Sequence, residues 1–148
     1  MAGKSDAYEN DYMKLIFNNV AIANIGDAAG LQPSAAAGNL WFALHTADPG
    51  EAGNQTTSET AYTGYTRMSV ARSSAGFTVT ANAVNLVSNL DFPSCTASPG
   101  AALTHFSIGT SSSGTGKILY SGTLTPNITM AVGVIPRITT AANLVTED

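Results

Sequence analysis

Apolar positions near the start of the chain recur at helical spacing. Tyr8, Tyr12, Leu15, Ile16 and Val20 lie three or four residues apart and share one helix face. Asp6 followed three residues later by Glu9 resembles a capping box, and Asn18-Asn19 with Ile25-Gly26-Asp27 ends the pattern. The next stretch is rich in Ala and Gly and contains Pro33, which reads as a flexible connector. The expected organisation is a helical arm at 1–25, a connector at 26–38 and a β domain at 39–148.

After Gly38 the period changes to two. Short β-prone runs occupy 39–46, 64–72, 76–82, 84–92, 103–109, 117–124, 127–134 and 137–146. Turn residues separate them, among them Asp48-Pro49-Gly50, Pro99-Gly100, the segment Ser111 to Gly116, and Thr125-Pro126-Asn127. Short strands at this spacing predict a mainly β fold: an antiparallel β-sandwich or jelly-roll-like barrel with an N-terminal α-helix. In the first run Leu40, Phe42 and Leu44 face one way while Trp41 and Ala43 put apolar surface on the other, so this strand is expected to be buried on both faces. The expected core is Phe42, Leu44, Val70, Phe77, Phe106, Ile108 and Leu119.

Composition narrows the function classes. Charged residues are 11% of 148, well below the roughly 25% of ordinary soluble domains, so the polar surface must be Ser, Thr, Asn and Gly. The six basic residues are scattered and the net charge is −4, which argues against a phosphate-neutralising groove and direct nucleic-acid binding. No run approaches the ~18 apolar residues of a membrane span. A single cysteine, Cys95, and no apolar run after the first residues point to synthesis in a reducing cytosol.

The densest candidate chemistry is the end of the first strand, where His45, Asp48 and Glu51 fall close together. With only one other histidine, His105, and no paired ligand spacing, the pattern predicts no metal site; the acids belong to a turn and His45 to the strand end. No G-x-S-x-G elbow marks a nucleophilic serine. Ser113-Gly114-Thr115-Gly116-Lys117 mimics part of a phosphate loop, but Ser111 stands where a glycine is needed and Ile118 where a hydroxyl would meet magnesium. Tyr62 and Tyr65 could stack on sugars or cover a sheet edge. The expectation is therefore no catalytic residue, no cofactor and no metal, with Tyr8, Tyr12, Leu15, Ile16 and Val20 as interface candidates on the arm.

The ordered segments LWFALHTADPG, YTGYTRMSVARS, THFSIGTSSSGTGKILYSGTL and VIPRITTAANLVTED, preceded by a short helix, resemble small virion proteins of tailed bacteriophages. That family carries head-decoration, minor-tail and tail-fibre labels. The resemblance implies a non-enzymatic virion component made in the host bacterial cytoplasm. A fibre shaft would show repeats or heptads, which are absent, and an acidic chain suits the outside of a DNA-filled head. The leading expectation is thus a capsid decoration (cement) protein that binds the major capsid protein and neighbouring copies, as a homotrimer in which each arm satisfies the next subunit. A tail or tail-fibre-associated protein is the alternative, followed by a carbohydrate-binding module.

Overall fold

A computed structural model describes residues 3–141 and 143–147. Among the described residues one helix, α1 (Asp6–Asn18), precedes nine strands: β1 (Asn39–His45), β2 (Met68–Ala71), β3 (Phe77–Thr80), β4 (Ala83–Leu86), β5 (Leu90–Asp91), β6 (Leu103–Gly109), β7 (Ile118–Ile128), β8 (Arg137–Ile138) and β9 (Val145–Thr146). The fold is mainly β, with antiparallel pairing and one N-terminal helix, as the change of period predicts. Among the described residues no sheet closes into a barrel.

The chain divides into two compact units, and the division differs from the linear one at 25 and 38. One unit comprises 1–39, 70–89 and 139–148; the other comprises 40–69 and 90–138. Residues 1–38 are thus not a separate arm, because the helix packs within its unit against β3 and β4.

In this first unit, α1 buries Glu9, Met13 and Phe17, a stripe at i, i+4 and i+8. Phe17 meets Phe77 of β3 edge to face, with ring centroids 5.1 Å apart. Asn10 Nδ2 donates to Ala81 O at 2.9 Å, tying the helix to the β3–β4 turn. The N-cap is Ser5, whose hydroxyl accepts from Tyr8 N–H, and not Asp6, which lies inside the first turn. At the other end Asn19 adopts φ 56°. Arg72 closes that end by donating to Leu15 O at 2.7 Å and Ile16 O at 2.6 Å, a cation placed where the helix dipole is negative.

The Ala/Gly connector is ordered. The Asn19 amide bonds both backbone groups of Ser34, at 2.9 and 3.0 Å. Ile22 and Leu31 form a β-bridge inside that loop, and Asp27 Oδ1 accepts from Ala29 and Gly30 N–H. Side-chain amides and carboxylates replace the apolar anchors whose absence made the segment look flexible.

In the second unit the main sheet has the order β2-β1-β6-β7, with β2 running from this unit into the other. The β1–β6 register sets Phe42 opposite Ile108 and Leu44 opposite Phe106, placing these apolar residues directly across from one another. From Phe42 to His45 every residue of β1 is buried, so both faces are covered as expected. Val70 and Leu119 are only half-buried and lie outside the cores, whereas Leu103, Phe92 and Tyr62 are buried. β7 continues through Pro126, where a break was expected; it is the last strand of its sheet, and an edge tolerates the missing N–H. Gly122 on β7 stands against the Phe106 ring, which an added Cβ would approach to 2.9 Å.

Candidate functional site

The residues at the end of β1 separate in space. His45 is fully buried, with Nδ1 2.8 Å from Thr57 O and Nε2 2.8 Å from Ser107 Oγ. A carbonyl only accepts, so Nδ1 carries the proton and Nε2 accepts from the Ser107 hydroxyl. Burial holds the imidazole below its ordinary pKa of 6.5, against a smaller opposing effect of the Thr57 carbonyl. Asp48 instead folds its own turn, accepting from Gly50 N–H at 2.9 Å while Gly50 takes φ 67°. Asp48 and Glu51 border a shallow cleft with Ile118 to Ser121 that contains no histidine. His105 bonds the hydroxyl of Thr104. Among the described residues no group of three His, Cys, Asp or Glu side chains gathers as metal ligands would, and no helix is long and apolar enough to cross a membrane.

The charge-bearing centre of this unit is Arg67. Its Nε lies 2.7 Å from Glu59 Oε1 and its Nη2 2.8 Å from Glu59 Oε2, a two-point ion pair with the guanidinium side chain 2% exposed. Nη1 donates to Ser111 O at 3.0 Å and Nη2 also to Gly114 O at 2.8 Å, so the same side chain holds the glycine-rich loop before β7. Tyr65 Oη donates to Glu59 Oε1 and accepts from Leu44 N–H, at 2.9 and 3.1 Å. Burial pushes the Tyr65 phenol well above its usual range and that of Tyr62 up to about 12. Gln55, also buried, donates to Trp41 O and accepts from Ser111 N–H, each at 3.0 Å. Its amide occupies the space that a Cβ on Gly109 or Gly116 would need, so both positions require glycine for close approach. Around Glu59, Tyr62, Tyr65, Arg67, Ser113 and Gly114 the surface forms a cleft of about 450 Å³.

A family model described as podophage GP4 fiber I protein gp80 matches residues 3–146. The chain belongs to this family. Search of curated proteins found no match. Membership makes the chain a phage virion structural protein, and the match spans both compact units, including α1 and the cleft.

In this gp80-family chain four of the five positions read from the sequence lie on α1 beside the buried stripe and not on it, and the fifth, Val20, lies beyond the Asn19 cap. Tyr8 and Val20 are 39% and 47% exposed, and Tyr12, Leu15 and Ile16 are half-buried. Tyr8 and Tyr12 pair with ring centroids 6.3 Å apart. The packed stripe is rotated by one residue, to Met13 and Phe17, because Phe77 supplies an aromatic partner for Phe17. Arg67, Gln55 and Ser107 were not legible as site residues. The available signal was that, of six basic residues, two, Arg67 and Arg72, fall within one β-prone run.

Proposed function

We propose that this protein is a fibre-associated structural component of the phage particle that works by binding its neighbours and not by catalysis. The observation that carries the reading is the match of a fibre-protein family over residues 3–146. The burial of the Ser107–His45 pair supports a non-catalytic role, since neither residue borders either cleft described above. With no repeats or heptads, the chain is an accessory or terminal piece and not the shaft. Neighbouring copies in a homotrimer are the proposed first partners, with exposed Tyr8 on α1 and exposed Val20 just beyond its C-terminal cap available for that contact.

Decoration of the head exterior, with the major capsid protein as partner, is the second reading. The net charge of −4, unsuited to facing DNA, favours it. Electron cryomicroscopy of particles carrying an epitope-tagged copy decides between them. Density at the tail or fibre is the expected result, and density on the head lattice overturns the first reading in favour of decoration.

A further inference from the structure

Two sequence features, the tyrosine pair Tyr62/Tyr65 and the glycine-rich loop before β7, meet at one place. They are the walls of the 450 Å³ cleft, whose volume falls within the ~300–1,000 Å³ of ligand sites. Arg67 brings them together: it binds Glu59 from one wall and the carbonyls of Ser111 and Gly114 from the other, so the cleft is held open by buried bonds.

The chemistry of the lining selects among ligand classes. Three of the loop's amides are engaged within the protein. Ser111 N–H is taken by Gln55, Gly116 N–H by Gly114 O, and Lys117 N–H by Thr110 Oγ1. The guanidinium makes four bonds already and is neutralised by Glu59, so the lining offers an anion no net positive charge. A cation is disfavoured by the same neutralisation. What remains is acceptor and hydroxyl character beside aromatic surface. Glu59 accepts three of the roughly four hydrogen bonds a carboxylate can take and keeps 17% exposure. The side chain of Ser113 is exposed on the opposite wall. Half-buried Tyr65 supplies the apolar flank, backed edge to face at 5.3 Å by Tyr62, which is buried and donates its hydroxyl to Pro93 O.

We propose that this cleft binds a neutral saccharide, with sugar hydroxyls donating to Glu59 and bonding Ser113, and with an apolar sugar face set beside Tyr65. The site stands on the cleft's own geometry and goes beyond the structural role, so its failure leaves the particle location untouched.

The test is an amide-detected NMR titration of the full chain with D-glucose, D-galactose, N-acetyl-D-glucosamine and L-rhamnose, and separately with sodium phosphate. At least one sugar should shift the amides of Glu59, Arg67 and Gly114 saturably, with a dissociation constant of about 1 mM or weaker, as expected of a small open site. Ser113→Arg, an exposed change that fills the cleft, should abolish those shifts at an unchanged melting temperature. Thr66→Trp, at a second exposed lining position, serves the same purpose if the first variant is unstable. The proposal is overturned if none of the four sugars moves these amides, if phosphate alone does, or if the shifts survive in the folded variants.

Discussion

Arg67 and Glu59 stand eight residues apart in the chain and form a two-point ion pair, 2.7 and 2.8 Å, beneath the loop that leads into β7. The pair is cohesive because the same guanidinium satisfies two loop carbonyls. Arg67→Ala would leave Glu59 without its counter-charge and those carbonyls without their donor, so unfolding stability should fall by about 3 kcal/mol. Arg67→Lys should fall between, since an ammonium keeps charge but loses the planar fork. Urea denaturation of the three proteins measures this; equal midpoints would remove the pair from the account of stability.

The helix makes a second prediction. Phe17 is fully buried against Phe77, whereas Tyr8 is 39% exposed. Phe17→Ala should cost roughly 3–5 kcal/mol, and Tyr8→Ala under about 1 kcal/mol. The reverse order would mean that α1 packs through the tyrosine face.

Acid should weaken the protein through His45. Its folded pKa lies below 6.5 because burial opposes the imidazolium, so the unfolded chain binds the proton more readily. Above pH ~6.5 neither state gains a proton and the contribution is complete; as pH falls from there toward the folded value, stability is lost. Melting temperature should therefore decline between about pH 6.5 and 5. In His45→Gln that decline should be shallower, even though the variant starts lower. Parallel slopes in the two proteins would contradict the assignment.

One substitution should stabilise. The two-residue turn between β3 and β4 places Ala81 at φ 53°, where such turns favour glycine. Ala81→Gly relieves a left-handed alanine and should raise stability by up to about 1 kcal/mol. Its backbone carbonyl, which accepts from Asn10, remains in place. A lower melting temperature would show that the chain-entropy cost of glycine outweighs the strain.

Periodicity made much of this protein readable in advance. The helix at the start, the two-sided burial of β1 and the Asp48-Pro49-Gly50 turn all follow from local spacing and turn chemistry, which act within a few residues. So did the place of His45 at the end of a strand, because an apolar alternation stopped there.

Tertiary structure alone decided which helix face is buried and which polar groups meet. The one-residue rotation of the packed stripe depends on Phe77, and nothing near α1 in the chain announces that partner. The order in 19–34 comes from Asn19 reaching Ser34 and from Arg72, some 55 residues beyond the helix end it caps. The cleft likewise joins Tyr62 and Tyr65 to a loop about 50 residues on, through one arginine whose four bonds have no sequence signature. Hydrophobic period is a local property of the chain. Hydrogen-bond partners of a buried polar side chain are chosen only when distant backbone is brought within about 3 Å.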